Sequence, residues 1–264
     1  PTRSLAPPVR AAVREAPPAS APQPIGDATD DEAALLAVGA PELPPDVLLA
    51  LPGSEGLDPA GVGATAIPDG GVSVGTPDDG ALQGAVQLPY APQLYTRRDA
   101  SRAWATSKTV RTVVTALSRL RTERGIDAEV VIGDLSGPRG GALPPHVSHR
   151  SGRDIDIRLV LAPGLDRTVL PIAPEHVDWD ATWALVQSFL ETGDVSYVFL
   201  DLRQQAHLME AGARAGVHPR VLDRWFQWPD GYDAEAIIRH EPGHRGHIHV
   251  RLRCDDQGPR CHGV

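Results

Sequence analysis

From residue 81 onward, apolar positions recur with two periods that alternate along the chain. Over 107–120, Val110, Val113, Val114, Leu117 and Leu120 share one helical face, and Gly125 closes the element. Residues 129–132 (EVVI) read as a short buried strand, followed by a loop rich in glycine and proline from Gly133 to Pro145. The period then becomes two: Asp154, Asp156 and Arg158 face one way and Ile155, Ile157 and Leu159 the other, which predicts a half-buried strand over 154–160. A helix over 180–191 carries Trp183, Val186 and Leu190; a buried strand covers 196–200. Asp201 is placed to cap a further helix to about Ala211, and Pro219 to start a short one with Val221, Leu222, Trp225 and Phe226 as its buried side. The last strand, 247–253, alternates again, with Ile248, Val250 and Leu252 inward. Helices and strands mixed in this way predict an α+β fold, a single domain with a central antiparallel sheet flanked by helices.

Composition changes the picture for residues 1–80. They hold fourteen of the 26 prolines, none of the aromatics and none of the histidines. They also hold twelve acidic residues against three basic ones, which accounts for the whole net charge of −9. Such a segment buries too little apolar surface to offset its ordering entropy, so 1–80 is expected to be a disordered tail or linker and 81–264 the folded domain. Residues 31–38 (DEAALLAV) are the one stretch there with a helical pattern. No apolar run approaches the roughly 18 residues that a membrane-spanning helix needs. The remainder is electrically neutral with no basic stripe, an argument against nucleic acid as a partner. The chain starts at Pro1 rather than Met, as expected of a processed protein whose targeting signal has been removed.

The only cysteines, Cys254 and Cys261, flank a turn containing Gly258 and Pro259. Cysteine counting leaves both a disulfide and two free thiols open, because it favours a bridge only in a secretory context.

The histidines carry the chemistry. All ten lie in the second half, and two groups stand out: His146 and His149 with Asp156, and His240, His244, His247 and His249. Imidazole and carboxylate are the ligands zinc prefers, and catalytic sites use three of them. Fully extended at about 3.3 Å per residue, His149 and Asp156 would lie roughly 23 Å apart, so sharing an ion demands a bend, for which Ser151 and Gly152 are suited. His247 and His249 are two apart on a strand and share a face, with Cβ atoms about 6–7 Å apart. Two such groups, each beside a glycine-rich loop, point to a metal site; the plainer reading is two polar sheet faces bearing solvated histidines.

The segments GDLSGPRGGALPPHVSHRSGRDIDI (133–157) and HRGHIHVRLRC (244–254) resemble the penicillin-insensitive murein endopeptidases, metallopeptidases of the superfamily that also holds lysostaphin-type peptidases, D-Ala-D-Ala peptidases and hedgehog domains. The resemblance covers roughly residues 84–262 and includes the cysteine pair. It implies that His149, Asp156 and His249 ligate zinc, that His247 is the catalytic histidine, that His146 and His244 are further active-site histidines, and that Cys254 and Cys261 form a disulfide. One zinc is expected. The ligands some members use for a second metal have no clear match here, Asp166, His176 and Asp178 being the nearest candidates. The resemblance further implies a periplasmic or secreted hydrolase that cuts D-Ala to meso-diaminopimelate cross-links between peptidoglycan stem peptides. Two alternatives accompany it: a D,D-carboxypeptidase or dipeptidase, and a non-catalytic zinc-stabilised domain of the hedgehog type. Arg150, Arg153, Arg158 and Arg251 are compatible with carboxylate-bearing stems, although ordinary surface charge is the expectation for Arg158. In a carboxypeptidase, Arg150 or Arg153 would be the cation for the leaving residue's carboxylate.

Overall fold

The computed structural model describes residues 67–166, 173–229, 236–254 and 260–263. The helical pattern at 31–38 lies outside them. Regular structure is present before residue 81: β1 (Val72–Gly75) pairs antiparallel with β2 (Gly80–Gln83), and Ile67 is buried. The boundary read at residue 80 thus cuts a hairpin. Its short Val-Ser-Val alternation sits within a segment whose overall composition is that of a linker. β3 (Val86–Gln87), β4 (Thr96–Arg97) and β5 (Trp104–Ala105) follow, β3 pairing with β5.

Thr106 caps α1 (Ser107–Thr122) by accepting the Thr109 N–H, and the five apolar residues of the expected stripe are all buried. β6 (Val131–Ile132) leads through a long loop to β7 (Asp154–Arg158). Asp178 caps α2 (Trp179–Leu190), β8 (Val195–Phe199) follows, and Asp201 caps α3 (Leu202–Arg214) as expected. The chain closes with α4 (Pro219–Trp225), β9 (Ile238–Arg239) and β10 (His247–Leu252). Among the described residues no helix is long and apolar enough to cross a membrane.

The fold is α+β. Six strands form one sheet in the order β4-β6-β7-β10-β8-β9, antiparallel from β6 to β8 and parallel at both edges. The antiparallel centre is the one expected; the parallel edges come from β4 and β9, two-residue strands too short for any periodicity to reveal. Ile155, Ile157, Ile248 and Val250 join the helical residues Val113, Leu117, Trp183, Val186 and Phe189 in a single core.

β7 departs from expectation in an instructive way. All five of its residues are buried, the polar ones included: the chain after β6 hydrogen-bonds along it, and His149 N–H reaches Asp154 Oδ2. Arg158 is 3% exposed, so it is no surface charge: it sits on a central strand directly across from His247. Arg153 is 1% exposed and donates to the carbonyls of Leu252, His262 and Gly263, latching the C-terminal residues to the sheet.

Candidate functional site

The site is assembled around one carboxylate. β7 and β10 run antiparallel with Asp156 opposite His249 and Arg158 opposite His247, so strand alternation alone puts both histidines and the aspartate on one face. The chain leaving β6 runs beside β7, exchanging backbone hydrogen bonds from Gly133 N–H to Asp156 O and from Asp156 N–H to Asp134 O. The loop then doubles back and delivers His146 and His149.

His149 is held at three points. Its backbone N–H donates to Asp154 Oδ2 at 3.0 Å, its carbonyl accepts from Ser136 Oγ at 2.6 Å, and its Nδ1 lies 2.9 Å from the Leu135 carbonyl. Its φ of 64° is the only positive value at a non-glycine among the described residues, a strained state these bonds over-determine. With Nδ1 engaged, Nε2 is the atom aimed at Asp156, 3.2 Å from Oδ1. The bend expected at Ser151 and Gly152 is present: Gly152 has φ 71°, and a Cβ there would meet the Leu82 side chain and the Ala105 backbone.

The remaining imidazoles close around the same carboxylate. His249 Nδ1 lies 3.4 Å from Asp156 Oδ1 and its Nε2 2.9 Å from Asp154 Oδ1; His247 Nε2 lies 3.9 Å from Asp156 Oδ1 and His146 Nδ1 3.7 Å from Oδ2. The His244 ring is 4.6 Å from that of His247 and 5.6 Å from that of His249. Burial resists ionisation of Asp156, yet the facing His149, His247 and His249 hold it well below the usual carboxylate range. Asp154 is likewise held down by His249, Arg251 and His149. Burial also works against the His149 cation, but the Asp156 charge outweighs it and raises that pKa. His247 is pushed well down by burial and by His244, and His244 to about 4 by burial and by His249.

A cation fits this cluster on the chemistry of its donors. His149 Nε2, Asp156 Oδ1, His249 Nε2 and both ring nitrogens of His247 are buried without a hydrogen-bond partner, a costly arrangement that an ion held by His149 and Asp156 would relieve in part. Two sets can bring ligand atoms together, His146 with His149 and Asp156, and Asp156 with His244 and His247. His249 belongs to the same knot, its ring 4.7 Å from that of His149. Imidazole with a carboxylate is a donor set that zinc and other first-row transition metals accept.

The other candidates are engaged elsewhere. His240 Nδ1 accepts the Leu202 N–H at the start of α3, His176 Nδ1 accepts from Ala173, and Asp178 caps α2. Sequence reasoning singled out neither Asp134, which holds His146 Nε2 at 2.7 Å, nor the full part played by Asp154, which ties His149, His249 and Arg251 together. The signal for Asp134 was a carboxylate between Ile132 and Leu135, both fully buried, where a charge needs a partner.

Residues 73–264 match the model of the penicillin-insensitive murein endopeptidase family. Three curated proteins of that name, from Salmonella heidelberg (strain SL476), Salmonella arizonae and Salmonella newport, are each 28% identical to this chain over 214 residues, covering 74% of it and 71% of theirs. The match runs from within β1 through β10 and takes in every residue of the histidine and aspartate cluster, and on that extent the chain belongs to the penicillin-insensitive murein endopeptidase family.

Proposed function

We propose that the protein is a zinc-dependent D,D-endopeptidase of the periplasm or cell exterior that hydrolyses D-Ala to meso-diaminopimelate cross-links between peptidoglycan stem peptides. The observation that carries this reading is the knot of unpartnered buried atoms on Asp156, His149 and His247 inside a murein endopeptidase family member. His149, Asp156 and His249 are the ligands in this reading, His149 through Nε2 and His249 through Nδ1, the atoms that face Asp156 Oδ1. His249 Nε2 then lies 2.9 Å from Asp154 Oδ1, close enough to pair with it by a small turn of the ring, as carboxylates behind a metal-ligating histidine do. One ion per chain is proposed, with Asp156, the carboxylate common to both ligand-capable sets, at its centre.

Zinc bound there supplies Lewis-acid polarisation of the scissile carbonyl and a more acidic water. The protein's own part falls to His247. Its ring nitrogens lie unpartnered beside the ligands, and burial pushes its pKa down, so a neutral ring is at hand to take a proton from the attacking water. It is therefore assigned as general base, with the proton leaving on the amine of the departing stem. His244, its ring 4.6 Å from that of His247, and His146, beside His149, are further active-site histidines in this reading. The Cys254–Cys261 disulfide supports an oxidising compartment.

Arg153 bears on the carboxypeptidase alternative. Its guanidinium is buried and bound to three C-terminal carbonyls, so it does not serve the free carboxylate of a leaving residue. A purely structural zinc site has no use for a buried, unpartnered His247 beside the ligands. Mass spectrometry of two digests tests the reading: cross-linked muropeptide dimers should become monomers while the terminal D-Ala of a monomeric pentapeptide stays largely intact. Preferential loss of that terminal D-Ala would overturn the endopeptidase assignment.

A further inference from the structure

Asp134 has no part in the scheme above, yet its surroundings are highly organised. Its side chain is fully buried at the exit of β6. Arg102 Nε donates to Oδ2 at 2.6 Å and Arg98 to Oδ1, both from the stretch between β4 and β5. Arg102 is fixed in turn, its Nη2 donating to the Pro144 carbonyl at 2.9 Å and its own carbonyl accepting from Leu135 and Ser136 N–H. Two guanidinium groups therefore clamp the carboxylate, and burial against ionisation is outweighed by them and by His146. The third partner is His146 Nε2, at 2.7 Å.

An ionised carboxylate can only accept, so the nitrogen facing it carries the proton. Nδ1 is turned toward the centre, 3.7 Å from Asp156 Oδ2 and beyond hydrogen-bond reach, so only the Asp134 contact demands a proton and a neutral imidazole keeps its lone pair on Nδ1. Turning the ring over would set a lone pair against the buried charge of Asp134 and discard a charge-assisted hydrogen bond. His247 has no such partner on either nitrogen.

We infer that Asp134 is a positioning residue: clamped by Arg98 and Arg102, it holds His146 as the Nε2–H tautomer and presents the Nδ1 lone pair to the cavity around Asp156. This rests on reading that cavity as the hydrolytic centre, but the tautomer itself is independent of which bond is cut. The clamp reaches the centre from the β4–β5 stretch, which neither histidine motif contains.

The test uses the full chain, zinc-loaded and labelled with ¹⁵N-histidine. Long-range ¹H–¹⁵N spectra identify the protonated ring nitrogen of each histidine, with His146→Gln assigning the resonance. The expected result is Nε2–H at His146 in the wild type. Asp134→Asn, whose amide can donate as well as accept, should give a mixture of tautomers, with kcat on muropeptide dimers lowered about tenfold or more and KM within about twofold. Should that variant fail to fold, Arg102→Gln loosens the clamp while keeping the carboxylate, and a smaller shift in the same direction is expected. A wild-type proton on Nδ1, alone or with Nε2, overturns the inference. So does Nε2–H retained in Asp134→Asn with wild-type kcat. Failure of the wild type to cleave dimers would sink the endopeptidase reading instead, and the tautomer would still be read from the spectra.

Discussion

Asp154→Asn separates the fold's need for Asp154 from the metal's. The side chain is fully buried and accepts from His149 N–H at 3.0 Å and from Arg251 Nε at 2.7 Å, with His249 Nε2 at 2.9 Å. Asparagine is nearly isosteric but offers one acceptor oxygen and an NH₂, so at least one of these donors must face another donor. Each hydrogen bond to a charged group contributes about 1.5–3 kcal/mol; with Arg251 still partly open to solvent, the zinc-free variant should lose about 2–4 kcal/mol of stability. The metal reports separately. Carboxylates behind a ligating histidine typically change metal affinity by about 10–100-fold, which corresponds to about 1.4–2.7 kcal/mol. Urea unfolding of the zinc-free protein measures the first quantity, and competition with a chelator of known affinity the second. Arg251→Met is the control: it removes the guanidinium while leaving both histidine contacts, so it should lower stability with little effect on zinc. An Asp154→Asn protein that stays folded and binds zinc within about twofold of wild type would refute the claim that Asp154 orients His249.

His249→Ala and Asp156→Ala should each lose zinc by metal analysis, whereas His247→Ala should keep a ratio near one and lose hydrolysis; a fully active His247→Ala would remove its assigned role. Zinc must displace the proton that Asp156 favours on His149, so apparent affinity should fall about tenfold per pH unit below that raised pKa, read by chelator competition from pH 8 to 5.5. In the zinc-free protein the same shift has the opposite sense: its stabilisation is fully present below the unfolded histidine value of about 6.5 and is lost as pH rises through the folded one, which unfolding curves across that range will show. Replacing Cys254 and Cys261 by serine should cost about 2.5 kcal/mol for so short a loop, measured as unfolding free energy against the oxidised protein. A chain starting at residue 81 should be at least about 2 kcal/mol less stable than one starting at 67, since it loses buried Ile67 and the β1–β2 pairing; equal melting temperatures would show that the hairpin contributes nothing.

Much of the site could be read from spacing. The alternation of 154–158 and 247–252 placed Asp156 on one face of β7 and His247 with His249 on one face of β10, and β7–β10 pairing joins those faces. Strand period and helical stripes are local properties of the chain, so α1, β7 and β10 were legible from residues a few positions apart. The bend between His149 and Asp156 followed from a distance that an extended chain cannot close, with Gly152 available to turn it. Tertiary structure decided whatever depends on which segments meet. It buried Arg158 and Arg153, whose sequence neighbourhoods resemble surface, and it paired β4 and β9 in parallel at the edges of the sheet. It also clamped Asp134 with Arg98 and Arg102 and turned Asp154 onto His149, His249 and Arg251. The physical reason is common to all of these. A charge is tolerated inside a protein only when its partners are in place, and those partners lie 32 and 36 residues away for Asp134 and 97 for Asp154 with Arg251, separations at which periodicity carries no information and only the packed fold brings the groups together.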